Sequence, residues 1–178
     1  MKNNERGLKG FIKSFRYAVT GIVHSVLSER NIRIHLVVAL YVLYFSRFYS
    51  LSRAEYILLL LTICFVIATE MLNTAIETVV DLVTEAYARL AKIAKDVAAG
   101  AVLVAAFSAV AVGVMLFFNL DVMGQIVRYF MGNWVRPVLL LLSVVVSFLF
   151  ISKVGQWAQK ADEAICPDQG GKDAQNQK

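Results

Sequence analysis

The sequence has few charged residues, few prolines and few cysteines for a chain of 178 residues. Charged side chains make up 17% and apolar ones 58%, whereas soluble domains have about 25% and about 45–50%, so the composition favours a protein that folds in lipid. Two prolines and ten glycines exclude a collagenous or low-complexity chain, and the high apolar content excludes a disordered one. Two cysteines, Cys64 and Cys166, supply neither a disulfide framework nor a zinc ligand set.

Long runs without charge predict four membrane-spanning helices. Residues 97–120 contain no Asp, Glu, Lys or Arg, and a helix of that length, at about 1.5 Å per residue, crosses a hydrocarbon core of about 30 Å. Similar runs lie at 36–51, where Arg47 is the one interruption, at 56–69 and at 137–152. The predicted spans are residues 34–51, 55–82, 95–120 and 135–153.

The N-terminal segment has a different pattern. Between residues 11 and 27, apolar side chains recur every three or four residues, and basic or polar side chains fall between them. This spacing predicts an amphipathic helix that lies in the membrane interface, and a soluble amphipathic arm is the alternative. Because the segment has no long apolar core and no small-residue cleavage site, we do not expect a signal peptide.

The basic residues predict the orientation of the spans. Fourteen of the 18 Lys and Arg residues lie before residue 34, between 89 and 95, or after 152. The positive-inside rule therefore places both termini and the 83–94 loop in the cytoplasm, where these side chains would contact anionic lipid headgroups rather than nucleic acid. The predicted organisation is an interfacial helix at 1–33, a three-span core at 34–120, an outer amphipathic segment and fourth span at 121–153, and a polar, disordered tail at 154–178.

The second predicted span carries polar residues on a single helical face. At about 100° per residue, that face includes Glu70, Asn73, Glu77 and Asp81. A carboxylate near the membrane centre costs about 2.5–3.5 kcal/mol on insertion scales, so a polar partner must meet it. Three interpretations are a structural polar seam between helices, an ion or proton path, and a metal-dependent phosphoryl-transfer site.

The third interpretation requires few residues, because Mg²⁺ takes oxygen ligands and usually bridges substrate phosphates. Glu77 is one candidate ligand, and Glu29, between the interfacial helix and the first span, is a second. Lys95, followed by Asp96 at the start of the third span, is a candidate for contacting the phosphates. The glycine-rich phosphate loops of soluble kinases do not occur in the sequence. The residues alone leave the three interpretations open.

Three segments together resemble the prokaryotic diacylglycerol kinase and undecaprenol kinase family: EMLNTAIETVVD at 70–81, ERNIRIH at 29–35 and AKDVAAGAVL at 94–103. The ERNIRIH version resembles the Gram-positive type. The resemblance implies an all-α homotrimer in the bacterial plasma membrane that transfers the γ-phosphoryl of MgATP to the hydroxyl of diacylglycerol or undecaprenol. Its active sites would be shared between subunits at the cytoplasmic interface. A non-catalytic membrane scaffold with the same fold is the alternative.

The resemblance also implies roles by position. Glu70 would be the general base that takes the proton of the lipid hydroxyl, and Glu29 and Glu77 would hold Mg²⁺. The nucleotide site would comprise Asn73, Glu77, Asp81, Lys95 and Asp96. Members of the family usually end after the third span, so residues 121–178 are an addition for which the resemblance implies no role.

Overall fold

The computed structural model describes residues 2–83 and 89–165, and every regular element within these ranges is an α-helix. The helices are α1 (Lys2–Ser28), α2 (Arg30–Ser46), α3 (Arg53–Val83), α4 (Arg89–Phe117), α5 (Leu120–Met131) and α6 (Val135–Ile165). The prediction of an all-α membrane protein is confirmed.

Within the described residues, three helices are long and apolar enough to cross a membrane: α3, α4 and α6 from Val135 to Gln156. They correspond to three of the four predicted spans. The predicted first span at 34–51 is shorter than expected, because α2 ends at Ser46 and a turn follows in which the Phe48 amide donates to the Phe45 carbonyl at 3.0 Å. The 17 residues of α2 extend about 25 Å, somewhat less than a hydrocarbon core of about 30 Å.

The chain divides into two compact units, one formed by the chain up to Arg30 and from Leu149 onward, the other by Asn31–Phe148. In the first unit, α1 is an amphipathic helix, as the spacing predicts. Its apolar Phe11 and Phe15 side chains are 69% and 65% exposed. Large apolar side chains left uncovered by protein suit contact with the membrane interface, so the interfacial position of α1 stays a prediction.

In the second unit, α3 and α4 pack as an antiparallel pair. Leu59 and Val66 of α3 are buried seven residues apart, and Ala98 and Ala105 of α4 are buried at the same spacing. A seven-residue repeat keeps one face of each helix at the contact, and alanine lets two backbones approach closely in a membrane. The polar face of α3 begins next to this buried stripe, at Glu70, and becomes exposed at Asp81.

Short connections place the ends of the helices, and capping side chains fix where the helices begin. The Ser52 amide donates to a Glu55 carboxylate oxygen at 2.6 Å, and the Glu55 amide donates to the Ser52 hydroxyl at 3.3 Å, which is a capping box at the start of α3. Asn119 Oδ1 accepts hydrogen bonds from the Asp121 and Val122 amides of α5, at 3.0 and 3.2 Å. Asn133 Oδ1 accepts one from the Val135 amide at the start of α6, at 3.0 Å.

The added helices α5 and α6 pack against α2. The Tyr41 hydroxyl hydrogen bonds to Ser143 at 2.9 Å and to Ser147 at 3.3 Å, which joins the middle of α2 to α6. The Phe48 ring, just beyond the end of α2, meets the Tyr129 ring of α5 edge to face, with 5.1 Å between centroids. These contacts attach α5 and the part of α6 up to Phe148 to one side of α2.

Helix α6 continues past residue 153, the predicted end of the fourth span, as far as Ile165. Residues 154–165, predicted as part of a disordered tail, are therefore helical, because this stretch is rich in the helix formers Ala, Gln, Lys and Glu. Residues 166–178, the rest of the predicted tail, lie outside the described residues, as does the 84–88 segment of the predicted cytoplasmic loop.

Candidate functional site

Glu70 is the buried residue of the polar face of α3. It is 2% exposed and follows the buried Val66 by one helical turn. The Thr74 hydroxyl donates to the Glu70 carbonyl at 3.2 Å, so this turn of α3 stays regular around the carboxylate. Because burial of an ionisable side chain in a membrane helix is costly, such residues mark functional positions or tight polar contacts.

Asn73 and Glu77 form the next step of the polar face. The Asn73 amide nitrogen donates to a Glu77 carboxylate oxygen at 3.0 Å, which fixes both side chains one turn apart. The amide oxygen of Asn73, Oδ1, is buried, but it has no hydrogen-bond partner among the described residues. Buried polar atoms are nearly always paired, so this oxygen is available to a donor or a cation that binds here.

Asp81 and Lys95 join the cytoplasmic ends that we predict for α3 and α4. The Lys95 ammonium lies 2.5 Å from an Asp81 carboxylate oxygen, with side chains 36% and 68% exposed. An ion pair that water reaches contributes only about 0–1 kcal/mol to stability, so either partner can be exchanged at little cost. Asp96, the residue after Lys95, is exposed.

Glu29 is placed differently from the other predicted residues. It lies at the break between α1 and α2, is half-buried, and its amide donates to the Ser25 carbonyl at 2.9 Å. Glu29 belongs to the first compact unit, whereas Glu77 and the rest of the predicted site belong to the second. The prediction that Glu29 and Glu77 share a metal ion therefore stays a prediction.

The oxygen atoms of this face suit a metal ion that arrives with its substrate. Within residues 2–83 and 89–165, no three His, Cys, Asp or Glu side chains cluster closely enough to hold a metal by themselves. Mg²⁺ needs no such cluster, since it is commonly bound through one or two carboxylates and the phosphates of a nucleotide. The Glu77 carboxylate is one group on this face that fits that requirement.

Arg33 is a residue whose burial the sequence reasoning missed. It is 4% exposed, and arginine is almost never buried so deeply unless it is paired. In the sequence, Arg33 is one of the basic residues that predict orientation. Its position in the ERNIRIH segment, four residues after Glu29, is the sequence feature that could have indicated its burial.

Comparison with known proteins identifies the family. Residues 16–117, more than half of the chain, match the family model for prokaryotic diacylglycerol kinase. The chain is 45% identical over 113 residues to a diacylglycerol kinase of Synechocystis sp., a match that covers 63% of this chain and 65% of that relative, just under two thirds of its length.

Two further relatives are matched over nearly their whole length. The undecaprenol kinase of Bacillus subtilis is 40% identical over 116 residues, which are 65% of this chain and 94% of the relative. The diacylglycerol kinase of Escherichia coli strain K12 is 30% identical over 119 residues, which are 67% of this chain and 98% of the relative. The match over residues 16–117 includes α2, α3, α4 and the polar face, and we conclude that the chain belongs to the prokaryotic diacylglycerol kinase family.

Proposed function

We propose that this protein is an ATP-dependent membrane lipid kinase that transfers the γ-phosphoryl group of MgATP to the hydroxyl of a lipid alcohol. The acceptor would be diacylglycerol, giving phosphatidic acid, or undecaprenol, giving undecaprenyl phosphate. Relatives named for each of these activities support the proposal. The observation that carries it is the polar face of α3, with Glu70 buried at one end and Asp81 beside Lys95 at the other.

The unpaired oxygen of Asn73 supports a site that is completed from outside this chain. Buried polar atoms are nearly always paired, and Asn73 Oδ1 has no partner in the described part of the chain, so its partner would come from a ligand or from another copy. The ion-path interpretation is weaker, because the polar face covers 12 residues from Glu70 to Asp81, about 16 Å of α3. That is roughly half the thickness of the hydrocarbon core.

Glu70 would act as the general base. The lipid hydroxyl oxygen attacks the γ-phosphorus, the bond from that phosphorus to the bridging oxygen of ADP breaks, and Glu70 takes the hydroxyl proton. Its burial beside the apolar part of α3 suits a substrate whose hydroxyl arrives through the membrane. ATP would approach from water, where Asp81 and Lys95 are exposed.

The water-facing half of the polar face would bind the nucleotide. Mg²⁺, held by Glu77 and Glu29, would neutralise charge on the phosphates. Asn73 would keep the Glu77 carboxylate oriented through the hydrogen bond described above. Lys95 would exchange Asp81 for a phosphate oxygen, and the nucleotide site would be completed by Asp81 and Asp96.

We also propose the cellular setting that this activity requires. The distribution of basic residues supports a bacterial plasma membrane location with both termini and the site facing the cytoplasm. Long apolar faces on α3 and α4 remain exposed, including Leu61, Phe65 and Phe107 at 62%, 58% and 68%. Such faces would contact lipid or other copies of the chain, and the homotrimer with shared active sites is what the family resemblance implies.

The test is transfer of radiolabelled γ-phosphate from MgATP by purified protein in mixed micelles, with diacylglycerol and undecaprenol assayed in parallel. The wild type is expected to label at least one of them. Glu70→Gln is expected to lower turnover by about 10²–10⁴-fold, because it removes the base while nearly preserving side-chain shape. Far-UV circular dichroism and gel filtration would show that this variant is folded.

Two results would contradict the proposal. Turnover retained by Glu70→Gln would exclude Glu70 as the base. Failure of the folded wild type to label either lipid would favour the alternative, a non-catalytic membrane scaffold that uses the same fold.

A further inference from the structure

A groove of about 500 Å³ lies between α2, α5 and α6. Its walls include Leu40 and Tyr44 of α2 and Leu139 and Leu140 of α6. The groove exists only because α5 and α6 pack on α2, and both of these helices lie beyond the family-matched residues 16–117. The groove is open on one side and its lining is mostly apolar, so in a membrane it would be filled by an apolar molecule or surface from outside these helices.

The inner part of the groove is suited to hydrocarbon. Three of its hydroxyls are paired, because the Tyr41 hydroxyl hydrogen bonds to Ser143 at 2.9 Å and to Ser147 at 3.3 Å. A polar group that already has a partner places no demand on a ligand. The rest of the wall is aliphatic or aromatic, so this part of the groove favours an apolar chain.

A positive charge lies at the other end of the groove. The Arg136 guanidinium stacks on the Tyr129 ring at 3.9 Å from the centroid, and one of its nitrogens donates to the Tyr129 carbonyl at 2.6 Å. Among the described residues no carboxylate pairs with Arg136. A guanidinium has five N–H donors, so most of them remain available to an anion.

The dimensions of the groove distinguish between possible occupants. Arg136 and Ser147 are 11 residues apart on α6, about 16 Å along the axis. All of the empty space between its walls amounts to about 1010 Å³, which over that length gives a mean cross-section of at most about 60 Å². A helix with its side chains is about 10–12 Å wide, a cross-section of about 80 Å² or more, so a helix from a second copy of the chain does not fit wholly inside the groove.

We propose that this groove binds an anionic phospholipid, with one acyl chain between α2 and α6 and its phosphate at Arg136. This ligand combines the two properties that the groove requires, a narrow apolar tail and a negatively charged head. The site is separate from the polar face of α3, and the bound lipid serves to complete the packing of the C-terminal addition.

The test counts bound lipid by native mass spectrometry on the purified full-length protein. Phosphatidylglycerol and phosphatidylcholine with identical acyl chains are titrated in parallel, and the wild type is expected to prefer phosphatidylglycerol. Arg136→Gln is expected to weaken phosphatidylglycerol binding about tenfold, the usual size of a lost charge-assisted hydrogen bond. The matched control Arg128→Gln removes an exposed arginine of α5 that does not line the groove, and it is expected to change binding little.

Two further variants separate charge and shape from any effect on folding. Arg136→Lys keeps the positive charge and is expected to keep the preference for phosphatidylglycerol, even if its contact with Tyr129 weakens. Leu140→Trp narrows the groove with Arg136 intact and is expected to lower binding of both lipids. Circular dichroism reports the helical content of each variant. If Arg136→Gln does not fold, Arg136→Lys and Leu140→Trp decide whether the groove binds the lipid.

Three results would overturn the proposal. The first is equal affinity of the wild type for the two lipids. The second is an equal loss of binding in Arg128→Gln and Arg136→Gln. The third is unchanged binding in Leu140→Trp, which would place the lipid elsewhere on the protein.

Discussion

The ion pair between Lys95 and Asp81 is accessible to water and therefore to a nucleotide. Both side chains are at least one third exposed, so solvent screens their attraction and the pair adds little to stability. If Lys95 exchanges Asp81 for a phosphate, the pair is a resting arrangement of the nucleotide site. Loss of Lys95 and loss of Asp81 are then expected to affect turnover differently, although the two residues form one ion pair.

Substitution of Lys95 tests this difference. Lys95→Gln is expected to raise the KM for MgATP about tenfold or more, because it removes a charged hydrogen bond to phosphate, and to change the free energy of unfolding by no more than about 1 kcal/mol. The matched control is Lys92→Gln, which removes an exposed lysine one turn earlier in α4. Steady-state kinetics with varied MgATP measure the effect, and equal KM values for the two variants would exclude a phosphate contact for Lys95.

The chemical character of the site could be predicted from the sequence more fully than its assembly. Helical periodicity alone places Glu70 and Asp81 on the same face as Asn73 and Glu77, and the structure shows the hydrogen bond and the buried carboxylate that follow from this. The burial of Arg33 could not be predicted in the same way. A basic residue near a span is ordinarily solvated, and only packing around it removes water.

At the scale of helices, hydropathy predicted which segments are helical but not where each one ends. The predicted second span begins at residue 55, whereas α3 begins at Arg53, because the pair Ser52 and Glu55 forms a capping box. The predicted third span runs to residue 120, whereas α4 ends at Phe117 before Asn119 caps α5. Capping residues are polar, short-range signals that a search for apolar runs does not register.

Neither the apolar runs nor the capping residues in the sequence predict where α2 ends. Apolar residues continue through Phe48, Tyr49 and Leu51, so the pattern predicts a longer helix. In the structure, the Phe48 ring meets Tyr129 of α5 and the Tyr49 ring meets Phe117 of α4, with 5.1 and 5.0 Å between centroids. Tertiary contact with α4 and α5 therefore decides where α2 stops.

The hydrogen bonds between α2 and α6 give a measurable contribution to packing. Tyr41→Phe removes the hydroxyl that bonds to Ser143 and Ser147 and leaves the ring in place. Interhelical hydrogen bonds in membranes contribute about 0.6 kcal/mol on average and at most about 1.7 kcal/mol, so the free energy of unfolding is expected to fall by an amount in this range.

Unfolding in mixed micelles with increasing sodium dodecyl sulfate measures this change. The matched control is Tyr44→Phe, which removes a tyrosine hydroxyl one turn further along α2, from a side chain that is 39% exposed. A loss of stability that is the same in both variants would show that the bond between α2 and α6 adds nothing specific.

At the scale of the whole molecule, the proposed site and the C-terminal addition are separate. All of the proposed site residues precede residue 97, and the family match ends at 117. The Bacillus subtilis relative is matched over 94% of its own length by only 65% of this chain. That relative therefore has little length beyond the matched region, and the same holds for the Escherichia coli relative.

Removal of residues 121–178 is expected to retain lipid phosphorylation and to lower stability. Turnover persists because the polar face of α3 and its contacts with α4 are unchanged, whereas stability falls because the side of α2 around Tyr41 loses its cover. The label-transfer assay and detergent unfolding measure the two effects. The same truncation carrying Glu70→Gln is the control for background activity, and loss of turnover in a folded truncated protein would show that the addition is part of the site.

The bond between Tyr41 and Ser143 also bears on the order in which the molecule folds. It joins residues 102 positions apart, whereas α3 and α4 are neighbours in the sequence and meet as a hairpin. Closing a long loop costs more entropy than closing a short one, and contacts between distant residues form more slowly. Docking of α6 is therefore expected to be the last step of folding, after the polar face of α3 has already met α4.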